Sequence, residues 1–303
     1  MYTQLLQLAA HVLKDEPLSQ HTTFKIGGPC DYMVFVQSAQ EAAAIAAFAR
    51  EHHIRFTVLG NGSNVLVADE GLDGIVLNTT RMNSIHVEND KIVAGCGATL
   101  SAVCYTAIQN SLDGMCELSG IPGTVGGAVY MNAGAYGSEI RQVLSQTVYL
   151  DEEGNVRTLE GEFHQFSYRH SIFFHHPEWV ILKAAFVLRK GNQAELKEKN
   201  VEFLRKRNEK QPLDFPNAGS TFKRPIGHFA GKLIEDCHLR GFAVGDAQVS
   251  EKHCGFVINR GNATAREVKT LIAHVKDTVL QTYGVELEPE IKYFERGNPT
   301  ATL

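Results

Sequence analysis

The sequence predicts an α+β protein built in parts, and three observations carry that reading. The N-terminal region alternates β-rich runs with a capped, Ala-rich helix, a β-α-β opening. Six glycines then crowd into Gly120–Gly137, more than ordinary turns require. Beyond residue 209, a second capped helix and further short strands form what reads as a separate unit. At about 150 residues per domain, the 303 residues suggest two domains or three small ones.

Tyr32–Val36 is β-rich, and Ser38-Ala39-Gln40-Glu41 has the form of a capping box before a helix to about His52. Phe56–Leu59 reads as a strand that ends in Gly60-Asn61-Gly62-Ser63-Asn64, with Val65–Val67 next. Shorter strands are expected at Ile75–Leu77, Ser84–Val87 and Ile92–Ala94. A helix with Thr99 as its cap is expected over Leu100–Gln109. Thr147–Leu150 and Val156–Leu159 read as a hairpin, and Val180–Leu188 as a strand. Ala194–Lys210 is a charged helix with few apolar positions, of the kind that bridges domains. Further on, Phe229–Cys237 reads as a short helix and Gly255–Asn259 as a strand. Thr264–Glu267 forms a second capping box before the apolar face Val268, Leu271, Ile272, Val275 and Val279. Leu287–Phe294 reads as a last strand broken by Pro289, and Gly297–Leu303 as a loosely held tail.

Composition excludes several classes. Hydrophobic residues make up 44% and charged residues 21%, so disorder is not expected. The net charge is −5, and the one basic run, Lys197–Arg207, is interleaved with Glu198 and Glu202. That is a solvated helix face and no nucleic-acid footprint. No run reaches about 18 apolar residues, so no transmembrane helix is expected, and the first residues lack the pattern of a signal peptide. Six cysteines without C-x-x-C spacing read as reduced thiols of a cytoplasmic protein. Thirteen histidines include no H-E-x-x-H, and no metal site is expected.

Gly60–Val65 and Gly95–Leu100 are near-matches to G-x-G-x-x-G. Each lacks the third glycine, so a dinucleotide fingerprint of the strand-turn-helix kind is weak. A P-loop is absent. Backbone N–H groups of Gly-rich loops still bind phosphate without a cationic side chain. Either loop alone reads as a structural turn; both, with Gly120–Gly137, point to a large phosphate-bearing cofactor. Three other places carry functional groups: Ser167-Tyr168-Arg169-His170, Asn217–Pro225 with Ser220, and Glu288-Pro289-Glu290. Taken alone, each reads as a polar loop or surface ahead of acid-base or anion-binding groups. Spacing alone names no reaction.

Taken together, Thr22–Pro29, Leu59–Leu66, Ser119–Gly137, Ser167–Arg169, Asn217–Pro225, Ala230–Glu235 and Leu287–Glu290 resemble one enzyme family, the UDP-N-acetylenolpyruvoylglucosamine reductases. The likeness runs from about Leu18 to Phe294. It implies an FAD-binding fold of the vanillyl-alcohol oxidase type, with subdomains at 1–79 and 80–208, and an α+β substrate-binding domain at 209–303. It also implies a bacterial peptidoglycan enzyme that reduces the enolpyruvyl ether of UDP-N-acetylglucosamine, using non-covalent FAD recharged by NADPH. The expected catalytic residues are Arg169, Ser220 and Glu290. FAD is expected against Gly60, Asn61, Gly62, Ser63 and Asn64, and against Ser119, Gly120, Ile121, Pro122, Gly123, Thr124, Gly126 and Gly127, with Asn132, Ala133 and Gly134 close by. Arg224, Lys232 and Gln248 are candidates for the sugar nucleotide. The partners expected are small molecules, with no nucleic acid and no membrane, and the chain is expected to act as a monomer.

One branch of the family carries an extra loop whose Tyr covers the substrate. No room for it exists between Arg169 and Asn217, so the chain resembles the shorter branch. Asp246, Cys254 and Gly255 depart from the family pattern. Two other readings stand beside this one: a different flavin-dependent oxidoreductase on the same fold, and a nucleotide-sugar binder without catalysis.

Overall fold

Ser38 accepts the Glu41 N–H at 3.2 Å and starts helix α2 (Ala39–Glu51), the first long helix, after the short α1 (Tyr2–Leu8). The Glu41 side chain reaches Gln37 N–H, one residue before the expected partner, so the capping box closes on Gln37. Ala42, Ile45 and Ala49 form its buried stripe. The computed structural model describes residues 1–301. They fall into two compact units: Met1–Lys14, Tyr32–Asn61 and Gly74–Arg207 make the first, and Asp15–Asp31, Gly62–Asp73 and the chain from Asn208 make the second. The longest segment of the second unit begins at Asn208, and two earlier segments join that unit.

Two sheets lie wholly or mostly in the first unit. One runs in the order His11–Pro17, Pro29–Phe35, Leu72–Asn78, Phe56–Leu59, and its last two strands pair in parallel. The other is antiparallel, in the order Val156–Glu160, Leu144–Leu150, Val180–Val187, Lys91–Gly95, Ile85–Glu88. The expected hairpin is the first pair of that sheet. Helix α3 (Leu100–Gln109) begins at the expected cap, where Thr99 Oγ1 accepts the Ala102 N–H. Ile45, Ile75, Ile92, Leu100 and Phe186 lie fully buried in the shared core. The Gly-rich segment, to which the sequence assigns no element, contains helix α4 (Val125–Tyr130), capped by Thr124. Two adjacent glycines mask it in the sequence because glycine lowers helix propensity. Helix α5 (Gln193–Lys210) packs Leu196 and Phe203 against Ile108 and Cys116.

In the second unit, Ala243–Val244, Ala247–Val249 and Val257–Asn259 form a sheet, and α6 (Ala230–Asp236) and α7 (Ala265–Tyr283) complete its core. The α7 capping box forms as expected between Thr264 and Glu267. Both Asp69 carboxylate oxygens also accept α7 N–H groups, from Ala265 at 2.7 Å and from Arg266 at 3.1 Å. The expected strand at Leu287–Phe294 starts only at Lys292. Lys292–Glu295 lies between Val65–Val67, in parallel, and Asn298–Ala301. The tail read as loosely held therefore gains a strand; Thr302 and Leu303 lie outside the described residues.

Candidate functional site

Three loops converge in the first unit. Asn61 Nδ2 donates to Pro122 O at 2.6 Å, and a Cβ on Gly60 would stand 2.4 Å from Thr124 Oγ1. The 95–99 loop backs the same segment, since Val125 N–H donates to Ala98 O and Gly126 N–H to Cys96 O, both at 2.8 Å. Its glycines serve the fold, because Cβ atoms on Gly95 and Gly97 would meet Met82 O at 2.2 Å and Thr79 O at 1.9 Å. Gly127 differs: only Thr124 Oγ1, at 3.7 Å, would lie near its Cβ. Bare backbone of that kind admits a phosphate or a ring edge, so the segment fits a dinucleotide.

Asn132 is buried, and its side chain is spent internally: Nδ2 donates to Glu139 Oε2 at 3.1 Å and Ser167 O at 2.9 Å, and Oδ1 accepts Arg141 N–H. Ser119 is likewise buried and donates to Cys116 O. Ile121 closes a turn onto Leu118 O, and Ala133 N–H donates to Ala128 O. By holding Ser167 O, Asn132 fixes a tight turn in which Ser167 and His170 exchange backbone hydrogen bonds at 3.2 Å. Arg169 sits in that turn at φ 55° and donates to Gly134 O at 3.0 Å. Its guanidinium lies 4.9 Å from the exposed Tyr168 ring.

Ser220 and Glu290 come together in the second unit through backbone pairing. Phe222 bridges Pro289, and Glu290 N–H donates to Thr221 O at 2.8 Å. Gly219, at φ 79°, turns the chain into Ser220, and Asn217 Oδ1 accepts its N–H at 2.9 Å. Thr23 Oγ1 pins Asn217 O at 2.7 Å. Ser220 Oγ donates to Phe222 O at 3.1 Å. Asn64, at the end of the Gly60–Asn64 loop, donates Nδ2 to Glu290 O at 3.2 Å, and its backbone O accepts Lys292 N–H at 2.9 Å. Gly62, at φ 59°, allows that loop to lie close on His21 O.

Lys292, two residues on from Glu290, is a half-buried titratable group that sequence reading passed over, since an apolar-polar strand end gives no signal for it. Burial, with the charge of Lys223 beside it, lowers its pKa from the usual lysine range to about 8; Glu288 and Glu290 oppose the shift. The unfolded chain keeps that proton to about pH 10.4, so between pH 8 and 10 it binds more protons than the folded chain, and stability rises with pH there. Lys292→Met is therefore expected to be more stable than the parent at pH 7, by on the order of 1 kcal/mol. The gap should close as pH rises from 8 to 10. Denaturation midpoints across that range check it, and a gap independent of pH rules it out.

The sugar-nucleotide candidates all lie in the second unit, each engaged with its own local partner. Arg224 stacks 4.0 Å over the Phe229 ring. Lys232 is exposed on α6, and its ion pair with Asp236 raises its pKa. Gln248 donates to Gly241 O at 2.8 Å. The three departures from the family pattern serve local structure. Asp246 Oδ2 accepts Asn262 N–H at 2.8 Å, and Gly255 N–H meets His253 Nδ1 at 3.0 Å. Cys254 is buried. The other cysteines are also free thiols, and burial holds those of Cys30 and Cys96 at about 12. Glu152, His176 and Glu178 bring ligand-type atoms within 4.8 Å of one another. They are engaged internally: Glu152 accepts from Trp179 Nε1, and Glu178 from His176.

The Gly-rich cradle, the strand pair and the two-sheet unit define an FAD-binding α+β protein of the vanillyl-alcohol oxidase type. An FAD binding domain model matches residues 30–160, and a UDP-N-acetylenolpyruvoylglucosamine reductase C-terminal domain model matches residues 211–294. A double variant of Phl p 4 that is a glucose oxidase shares the fold, with TM-score 0.50 and 14% identity over 63% of this chain and 44% of that one. The chain belongs to the UDP-N-acetylenolpyruvoylglucosamine reductase family. It is 48% identical to the reductase of Caldanaerobacter subterraneus over 92% of each chain, and 44% identical to that of Oceanobacillus iheyensis over 96% of this chain and 95% of that one. The crystal structure of the Thermus caldophilus reductase matches with TM-score 0.79 and 30% identity, over 93% of this chain and 98% of that one.

Proposed function

We propose that this chain reduces the enolpyruvyl ether of UDP-N-acetylglucosamine to the lactyl ether of UDP-N-acetylmuramate, a step of peptidoglycan synthesis, with NADPH as the reductant. The observation that carries this reading is kinship at 43–48% identity over more than nine tenths of the relatives so named. FAD, when bound without a covalent link, supplies hydride to the vinyl carbon and is recharged by NADPH. Gly60–Asn64 and the Ser119–Gly127 segment would hold it, with Asn132–Gly134 bracing that region.

The residues serve the charge and the proton that hydride addition leaves to be managed. Negative charge develops toward the substrate carboxylate, and preorganised donors stabilise it. Arg169 is assigned to that charge: its backbone is fixed by the 167–170 turn, so it is oriented before substrate arrives. Glu290 is assigned to the same charge in its protonated form or through a bridging hydrogen bond. Ser220 Oγ then gives its proton to the α-carbon, from a side fixed by the strand pairing. Arg224, Lys232 and Gln248 are assigned to the sugar nucleotide, and 209–303 to the substrate-binding part.

No helix among the described residues is long and apolar enough to cross a membrane. We assign the protein to the cytoplasm, where NADPH and the sugar nucleotide are available, and to action as a monomer. The test is a visible spectrum. Flavin bands should bleach with one equivalent of NADPH and return on adding the enolpyruvyl sugar nucleotide. Bands that bleach and never return would remove the substrate assignment, and a protein that takes up no FAD would remove the cofactor.

A further inference from the structure

Helix α5 presents Leu196, Lys199, Phe203 and Arg207 at spacings of three and four, along one face. Leu196 and Phe203 pack into the first unit, and Phe203 stands 4.9 Å from the Tyr136 ring. Lys199 finds carboxylates there, Glu117 at 2.8 Å and Asp113 at 3.7 Å. Arg207, one turn beyond Phe203, is half-buried beside Tyr136. No carboxylate and no hydrogen-bond acceptor engages its guanidinium among the described residues. Removing a cation from water without a counter-charge is costly, and burial accordingly lowers its pKa. The side chain crosses Gly120: a Cβ there would stand 2.7 Å from Arg207 Cδ and 3.5 Å from Nε. Glycine at 120 therefore makes room for this arginine, at the head of the segment that ends in the bare backbone of Gly127.

We infer that Arg207 is the cation that receives the diphosphate of bound FAD. This inference rests on the flavin reading. A planar guanidinium pairs two phosphate oxygens at once, and the unbalanced charge of Arg207 is neutralised by such an anion. The sugar nucleotide also carries a diphosphate. FAD is the source assigned, because Gly120 and Tyr136 fall within residues 30–160, matched by the FAD binding domain. The C-terminal reductase domain match begins only at residue 211.

The experiment titrates apoprotein with FAD by flavin fluorescence, and with ADP-ribose as a competitor that carries the diphosphate without the flavin ring. Arg207→Gln should weaken both by the same factor, about 10- to 100-fold. Arg207→Lys should recover part of the loss. Gly120→Ala, whose Cβ displaces the arginine stem, should weaken both ligands as Arg207→Gln does. FAD weakened with ADP-ribose unchanged would place Arg207 on the ring and overturn the assignment. Unchanged FAD affinity with a raised KM for the sugar nucleotide would overturn it in favour of the substrate. A parent protein that binds no FAD would remove the flavin reading itself, and this inference with it.

Discussion

Ser220→Ala is expected to lower turnover by about a thousandfold while NADPH still bleaches the flavin at nearly the parent rate. A positioned proton donor contributes roughly 10²- to 10⁴-fold, and in the reaction proposed above Ser220 is that donor, acting after hydride transfer. The fold should survive the change. Oγ donates one hydrogen bond, to Phe222 O at 3.1 Å, which is worth about 1 kcal/mol. The backbone around it is held by other atoms: Thr221 N–H on Gly255 O, Thr221 Oγ1 on Val257 N–H, and Asn217 on Thr23. Rapid mixing separates the two half-reactions. Unchanged turnover would strike Ser220 from the mechanism, and a variant unable to accept electrons from NADPH would mean that the damage lies in the flavin site.

Gly97→Ala should cost about 3 kcal/mol or more and reduce the yield of flavin-loaded protein. Its Cβ would stand 1.9 Å from Thr79 O and 2.8 Å from Thr80 C, all backbone that cannot rotate aside. Gly97 N–H also donates to Met82 O at 2.9 Å, so the two segments cannot separate without breaking that bond. The contrast is Gly127→Ala. Its only near neighbour, at 3.7 Å, is at ordinary contact distance, so stability should hold while FAD affinity falls. Denaturation midpoints of the two variants decide the matter. Equal stability of Gly97→Ala and parent would mean that the 95–99 loop can move away from Thr79.

Local sequence specified much of the fold. The caps at Ser38, Thr99 and Thr264 mark true helix starts, because a cap and its first N–H groups lie within four residues. The 144–160 hairpin was legible for the same reason. What failed was non-local. Lys292–Glu295 is a strand only because Val65–Val67, more than 220 residues earlier in the chain, supplies its partner. Glu288–Glu290 instead pairs with Thr221–Lys223 and extends the site. The tail strand Asn298–Ala301 exists because Lys292–Glu295 offers it an edge.

The candidate site divides along the same line. Residue types alone gave the Gly-rich cradle, and the ordered motifs gave the family with its candidates Arg169, Ser220 and Glu290. The sequence could not separate glycines with open space beside them from those pressed against neighbouring backbone. Gly127 and Gly97 look alike in it, and only the distance to Thr79 O tells them apart. Nor could it separate Lys199 from Arg207, two cations eight residues apart on one helix. Glu117 and Asp113 meet the first, and the second faces Gly120. Charge compensation and steric clearance are properties of what the fold brings alongside a residue, so the tertiary structure alone decided them.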